Sequence, residues 1–253
     1  MSEFKDYFST ASDAYKRFRP RYPAELYEYL ASVAPATGLA WDCGCGNGQA
    51  AVALASRFHE VIASDASAAQ IAQAQPAPNL EYRVSPAEQI GAEDCSFDLI
   101  TVAQAIHWFD HQRFFAEVDR TLKPGGILAA WGYQLLYTDT GLDPVIAHFH
   151  SQKVGPYWPP ERALLDEGYT RITFPYPREK TPAFFMRTRW RFSHLLGYLN
   201  TWSAVKQYEK ALGSNPIEEE FPALMAAWGN VGAEKDIYWP LILYVGKKSI
   251  QAS

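Results

Sequence analysis

The sequence of 253 residues predicts an α/β fold with a doubly wound, mostly parallel sheet. Three observations lead to this prediction. Short apolar runs of strand length alternate with helical segments, a glycine-rich turn follows the first of these runs, and polar residues come directly after several others. Because parallel neighbours need crossover connections, helices should cover both faces of the sheet, and ligands should bind beyond the carboxyl ends of the strands.

The first predicted elements are a helix and the glycine-rich turn. Pro23 opens the helix, and its apolar positions Leu26, Tyr27, Leu30 and Val33 share one face. Residues 41–48 then read WDCGCGNG, and good helix formers follow at 49–55. Glycines in alternation are typical of a turn in which the backbone takes positive φ or approaches a ligand closely. The turn therefore predicts a cofactor site at a helix start, with an ordinary tight turn as the alternative.

The spacing of the glycines bears on which cofactor is bound. The dinucleotide fingerprint is G-x-G-x-x-G, whereas Gly44, Gly46 and Gly48 form G-x-G-x-G, with Asp42 two residues ahead. This spacing disfavours NAD. It resembles the first motif of the class I S-adenosylmethionine-dependent methyltransferases.

Further apolar runs predict the remaining strands. Runs at 61–64, 80–84, 97–103 and 127–131 predict the second to fifth strands, and a helix is predicted over 111–122. The second run ends at Asp65, near the offset of roughly 20 residues at which an acid contacts ribose hydroxyls. Strands at 169–174 and 237–245 complete a set of seven. The segments 141–168 and 176–234 exceed ordinary connections and predict helical insertions that form a cap.

Composition limits the other function classes. A net charge of −5 argues against a nucleic-acid partner, and no apolar run approaches the 18 residues of a membrane span, so a cytoplasmic protein is expected. The three cysteines should be free thiols. His148 and His150 would point to different faces of a helix, and we predict no metal.

The resemblance becomes narrower at four further stretches. Residues 15–23 (YKRFRPRYP), 85–88 (SPAE), 103–110 (AQAIHWFD) and 195–203 (LLGYLNTWS), with the short run GPYW at 155–158, resemble the trans-aconitate methyltransferase-like group, which carries a methyltransferase type 11 domain. The resemblance implies a seven-stranded Rossmann-like sheet whose seventh strand is antiparallel and beside the fifth. It also implies S-adenosyl-L-methionine as cofactor, S-adenosyl-L-homocysteine as product, a small-molecule substrate, no nucleic-acid or membrane partner, and a monomer or homodimer.

Site residues are assigned partly from the motifs and partly from this resemblance. His107 is the candidate catalytic residue, either as a base or hydrogen-bond donor or as a structural histidine. The candidate cofactor-binding residues are Tyr15, Arg19, Asp42, Gly44, Cys45, Gly46, Gly48, Asp65, Ala66, Ala87, Glu88 and Gln104. The candidate substrate-binding residues are Arg21, Trp108, Tyr157, Trp158 and Trp202. Either Arg19 or Arg21 is expected to anchor an anionic group of the acceptor.

The predicted organisation is one structural domain in three parts. Residues 1–35 form an N-terminal lid and helix, 36–135 the cofactor-binding core, and 136–253 the cap insertions with the last two strands. The predicted function is O-methylation of a small carboxylate, because no dedicated base is evident and a carboxylate is already ionised. Two alternatives stay open: a catalytically silent or modified-cofactor binding protein, and an NAD-dependent oxidoreductase.

Overall fold

A single seven-stranded sheet organises the fold. The structure is a computed structural model that describes residues 18–138 and 141–250. Tyr15 therefore lies outside the described residues. The strands are β1 (Leu39–Cys43), β2 (Glu60–Asp65), β3 (Leu80–Val84), β4 (Phe97–Ala103), β5 (Leu122–Tyr133), β6 (Phe185–Trp190) and β7 (Lys235–Lys247).

The strand order is β3-β2-β1-β4-β5-β7-β6. Strands β1 to β5 are parallel to one another, whereas β7 is antiparallel to both β5 and β6. The prediction of a mostly parallel, seven-stranded sheet is confirmed, as is the antiparallel seventh strand beside the fifth. The carboxyl ends of β1, β2, β4 and β5 consequently meet at one edge of the sheet.

Helices cover both faces of the sheet and fill the C-terminal part. They are α1 (Ala24–Val33), α2 (Gln49–Ala55), α3 (Ala68–Ile71), α4 (His111–Thr121), α5 (Leu142–His148), α6 (Arg162–Asp166), α7 (Phe192–Asn200), α8 (Ser203–Leu212) and α9 (Pro216–Trp228). Shorter helical turns occupy Ile106–Trp108, Phe149–Lys153 and Gly155–Tyr157. Within the described ranges, no helix is both long and apolar enough to span a membrane.

The sixth strand differs from its prediction. Residues 169–174 form turns and irregular backbone, and β6 lies later in the chain, at Phe185–Trp190. Gly168 and Tyr169 both have positive φ, 68° and 61°, and turn the chain after α6. Tyr169 and Ile172 are nonetheless buried, at 4% and 7% exposure. The run predicted as a strand is therefore partly buried in the core without strand pairing.

Three large hydrophobic clusters form most of the core, and a small fourth cluster contains Cys45, Ala51 and Ala63. Alternate residues of β1 face different clusters, with Ala40 on one side of the sheet and Trp41 on the other. A sheet covered on both faces requires such apolar strands. The third cluster packs α5, α7, α8 and α9 against β6 and β7, and it includes Trp190, Tyr198 and Trp239.

Candidate functional site

The glycine-rich turn joins the end of β1 to the start of α2. Gly44, Gly46 and Gly48 all have positive φ, at 67°, 55° and 86°. A Cβ on Gly48 would lie 2.0 Å from the hydroxyl oxygen of Tyr82, so any side chain there would displace the tyrosine. At Gly46 the nearest side-chain atom would be 3.9 Å away. The backbone is thus open to a ligand at Gly46 and packed against the protein at Gly48.

Asp65 fastens this turn to the end of β2. Its Oδ2 accepts a hydrogen bond from the Gly46 N–H at 2.8 Å, and its Oδ1 accepts one from the Ser67 N–H at 2.8 Å. The next residue along the turn, Cys45, is buried and donates its N–H to the Ser64 carbonyl at 2.9 Å. The predicted ribose-binding carboxylate therefore lies directly beside the predicted methionine-binding turn.

Asp42 is a buried carboxylate behind the turn. Its side chain is fully buried, Oδ1 accepts a hydrogen bond from the Thr101 hydroxyl at 2.8 Å, and Oδ2 has no hydrogen-bond partner. Burial raises the pKa of Asp42 to about 7, although the Thr101 hydroxyl and the nearby Ala51 backbone favour the charged form. An unpartnered buried oxygen beside an open glycine turn fits a ligand that carries positive charge.

The predicted adenine contacts lie after β2 and β3. Ala66 is exposed, Ala87 is buried, and Glu88 is half-buried. The Glu88 carboxylate accepts a hydrogen bond from the Asp110 N–H at 3.0 Å, which ties the segment after β3 to the start of α4. The two alanines and Glu88 thus border the same edge of the sheet as Asp65.

Gln104 bridges the ends of β4 and β5. It has a φ of 57°, and its side-chain amide exchanges hydrogen bonds with the Tyr133 main chain, at 3.0 Å from Nε2 to the carbonyl and 2.8 Å from the Tyr133 N–H to Oε1. The Gln104 N–H donates to the Trp131 carbonyl at 2.7 Å. The Gln104 side chain therefore pairs with the Tyr133 main chain as a further β4 residue would, while the Gln104 backbone leaves the sheet.

His107 is a buried histidine in the loop after β4. Its ring is 6% exposed and stacks against Tyr169, with Nδ1 3.4 Å from the tyrosine hydroxyl. Trp108, half-buried, lies beside it with ring centroids 4.9 Å apart. Burial and then the positive charge of Arg162 lower the pKa of His107 to about 3. These contacts favour the structural interpretation of His107, and a catalytic role stays a prediction.

The N-terminal segment contacts the same edge through Arg19. Its guanidinium donates to the Thr201 hydroxyl at 3.1 Å and the Tyr133 hydroxyl at 2.9 Å, and lies 5.3 Å from the centroid of Tyr198. Arg21 is exposed at a separate surface cavity that Phe185 and Arg187 also line. Arg19 thus fits a role in fastening the segment over the end of β5.

A cavity of about 590 Å³ opens beyond the end of β5. Its lining includes Gln134, His150, Trp158 and Arg162. Of the predicted substrate-binding aromatics, Trp158 faces this cavity. Tyr157 instead packs edge-on against Tyr208, and Trp202 is only 3% exposed within the third cluster, in contact with Trp158 and His150.

Arg162 is the site residue that sequence reasoning missed. Its guanidinium stacks on Trp158, 4.2 Å from the ring centroid, in the cavity beyond β5. In the sequence it is one arginine among several in the insertions, following a Pro-Pro-Glu stretch. The run from Trp158 to Arg162, an aromatic and a cation separated by two prolines and a glutamate, was the available signal.

Comparisons with known proteins agree on one family. The family model described as "Methyltransferase domain" matches residues 41–130. A protein of Dictyostelium discoideum named as a putative methyltransferase is 34% identical over 254 residues, covering 98% of this chain and 97% of that protein. The solved structure of a putative type II methyltransferase from Anaeromyxobacter dehalogenans has a TM-score of 0.85 and 43% identity, covering 91% of this chain and 98% of that one. The trans-aconitate 2-methyltransferase of Deinococcus radiodurans is 39% identical over 93 residues, 35% of each chain.

Proposed function

The chain belongs to the class I S-adenosylmethionine-dependent methyltransferases, with S-adenosylmethionine as cofactor, and we propose that it methylates an oxygen of a small carboxylic acid. One observation carries the choice of acceptor. His107, in the loop after β4, and His150, which lines the cavity, have pKa values lowered to about 3 and about 4. Such groups are weak bases at neutral pH. A carboxylate needs no base, whereas an ammonium or hydroxyl group must first lose a proton.

Residues at the carboxyl edge of the sheet are proposed to hold the cofactor. The open backbone at Gly46 would take the methionine part, with Gly44 and Cys45, and Asp65 would accept hydrogen bonds from the ribose. Ala66 and Ala87 would flank the adenine. The unpartnered oxygen of Asp42 supports this assignment, because a negative charge behind the turn favours a ligand with positive charge.

Methyl transfer mainly requires that the acceptor be aligned with the methyl group and that water be excluded from the site. When bound, S-adenosylmethionine supplies a methyl group activated by a positively charged sulfur. Gln104 and Tyr133 keep the ends of β4 and β5 together, and His107 packs against Tyr169 in the loop after β4. Rigid positioning of the acceptor and exclusion of water are the contributions that this chain would make.

The carboxylate proposal is supported by one relative, the trans-aconitate 2-methyltransferase of Deinococcus radiodurans, which aligns over 35% of the chain. Its test is transfer of labelled methyl from the cofactor to matched carboxylic acids, phenols and amines. We expect label in base-labile methyl esters, at a rate nearly constant from about pH 6 to 9. Because His107 is neutral throughout that range, His107→Asn should retain activity within about tenfold.

Two results would contradict this proposal. Label confined to amines, at a rate that rises with pH, would exclude carboxylate methylation and make His107 the candidate proton acceptor. Cofactor binding by calorimetry without transfer to any acceptor class would favour the catalytically silent alternative. Asp65→Ala serves as the control that separates lost cofactor binding from lost chemistry.

A further inference from the structure

Strand β6 forms an edge of the sheet whose outer side no other described strand covers. The hydrogen bonds of its neighbour β7 show which backbone groups lie on that side. Both main-chain polar groups of Tyr238 bond to Tyr137, at 3.0 Å from its N–H and 2.8 Å to its carbonyl, so neither bonds to Arg187, the β6 residue opposite Tyr238. Because opposite residues of an antiparallel pair exchange either both bonds or none, the N–H and carbonyl of Arg187 point to the open side.

The residues on either side of Arg187 follow the same alternation. The Leu241 N–H donates to the Phe184 carbonyl at 2.9 Å, which is the pairing expected if every second residue of this segment bonds to β7. Phe185 and Arg189 therefore share the orientation of Arg187, and no hydrogen bond from another described segment reaches the main chain of these three residues. An open edge of this kind is a template for an added strand.

A cavity of about 550 Å³ lies beside the start of this edge. Five consecutive residues, 183–187, line it, together with Arg21, Tyr22, Pro23 and Glu25 around the start of α1. An added strand lies about 4.8 Å from its neighbour, so it would occupy the part of the cavity that borders 183–187. The cavity therefore fits an extended chain that runs alongside β6.

The side chains at the open positions are aromatic and basic. Phe185 is half-buried, whereas Arg187 and Arg189 are exposed. The Arg187 guanidinium lies 5.0 Å from the Phe185 ring centroid and 5.8 Å from that of Tyr238, which holds the cation on the outer face of the sheet. Because side chains of a strand alternate between its faces, the three open residues project from one face, and the side chains of an added strand would meet them there.

The acids near this edge leave the arginines available to a ligand. Asp236 pairs with Arg189 at 3.3 Å, with 84% and 67% of the two side chains exposed, and exposed ion pairs contribute little. Arg21 and Arg187 make no ion pair with the described acids. Glu25 is the acid in the cavity lining, against these two arginines. Three arginines and two acids thus border the edge, an excess of positive charge on a chain whose net charge is −5.

We propose that the open edge of β6 binds an extended acidic segment of a partner protein, which adds to the sheet as an antiparallel strand. Antiparallel pairing is the more stable per residue, and it would place two carboxylates opposite Arg187 and Arg189 and an aromatic ring opposite Phe185. A second copy of this chain fits the edge less well, because the register that overlaps the three open residues of two copies places Arg187 opposite Arg187. The proposal does not depend on the identity of the methyl acceptor.

The test measures binding of labelled peptides to the full chain by fluorescence anisotropy at fixed ionic strength. The acidic peptide is Thr-Glu-Val-Glu-Val-Tyr-Thr, in which the two glutamates face Arg189 and Arg187 and the tyrosine faces Phe185. A lysine peptide has lysine in place of both glutamates. Two further forms of the acidic peptide carry one N-methyl group each. It lies on the second glutamate, whose N–H would bond to β6, or on the valine that follows, whose N–H would point away.

The acidic peptide should bind at least about tenfold more tightly than the lysine peptide, because its carboxylates meet the arginines. Methylation of the second glutamate should weaken binding about tenfold, whereas methylation of the valine should not. Arg187→Glu should weaken binding of the acidic peptide and strengthen binding of the lysine peptide, a gain that a misfolded variant would not produce. Arg113→Glu, at an exposed arginine of α4 outside the cavity, is the matched control and should change neither affinity appreciably.

Distinct results would overturn the proposal. Absence of binding by the acidic peptide, or equal binding of the acidic and lysine peptides, would exclude an acidic ligand at this edge. Equal losses from the two N-methyl groups would show that charge alone attracts the peptide, and would refute strand addition. A dimer of the unmodified chain in sedimentation that Arg187→Pro abolishes, with S-adenosyl-L-homocysteine binding retained, would assign the edge to a second copy, since proline removes the outward N–H and is tolerated on edge strands.

Discussion

Replacing the buried Asp42 by asparagine should stabilise the fold at neutral and alkaline pH. The Asp42 carboxylate is fully buried, with one oxygen bonded to Thr101 and the other without a partner. Desolvation raises its pKa from 3.8 to about 7. Asp42→Asn keeps the shape and the acceptor for Thr101 while removing the charge.

The direction of the effect follows from proton linkage. The native state holds the Asp42 proton more tightly than the unfolded chain, so the free energy of unfolding falls as pH rises from about 4 to about 7 and stays constant above. Each pH unit of displaced titration is worth about 1.4 kcal/mol. The ionised side chain should therefore cost the native state about 4 kcal/mol above pH 7, a cost that is absent below pH 4.

The assay is urea unfolding of both proteins at about pH 4, 5, 6, 7 and 8 and constant ionic strength. His107 and His150 titrate in the opposite sense, since burial lowers their pKa values, and their contribution to stability rises from about pH 3 to about pH 6.5 and is constant above. Subtracting the two curves removes this shared contribution. Thr101→Val is a useful companion, because loss of its hydrogen bond should raise the pKa of Asp42 further.

A pH-independent difference between the two proteins would refute the reasoning. It would mean that Asp42 is ionised or neutral across the whole range, and that burial does not govern its titration. A variant less stable than the parent at pH 8 would refute it more strongly. In that case the charge itself would stabilise the native turn.

Three further predictions concern the turn and the sheet edge. Gly48→Ala should destabilise the fold by more than the roughly 1–2 kcal/mol that a left-handed φ costs, because the added Cβ also meets the Tyr82 hydroxyl. Thermal unfolding measures this loss, and Gly141→Ala, whose Cβ meets nothing within 4 Å, should show no comparable loss. Asp65→Ala should weaken S-adenosylmethionine binding by about 2–4 kcal/mol in calorimetry, and unchanged affinity would place the ribose site elsewhere. Gln104→Ala should lower the free energy of unfolding by about 1–3 kcal/mol, because both polar groups of Tyr133 lose their partner, and equal stability in urea would contradict that role.

The sequence by itself determined the sheet and the cofactor turn. The runs that form β1 to β5 are short and apolar, and the strand and helix periods that they follow are local properties of the chain. The alternating glycines Gly44, Gly46 and Gly48 likewise indicate a turn with positive φ, which is a local property of the backbone, and all three adopt positive φ. Parallel strands then bring Asp42, Asp65 and Gln104 to one edge without further information, since every carboxyl end points the same way.

Only the tertiary structure decided which residues surround the cavity. The run at 169–174 cannot distinguish strand pairing from packing, because strand pairing depends on a distant segment, and β7 pairs with β6 at Phe185–Trp190 instead. The low pKa of His107 depends on burial under Tyr169 and on the charge of Arg162, which are distant in the chain. Arg162 lines the cavity because α6 folds against the end of β5, where its guanidinium stacks on Trp158 and pairs with Asp166. Sequence patterns predict the local secondary structure of each segment. The desolvation of a side chain and the charges near it depend on which other segments pack around it, and only the tertiary structure shows these.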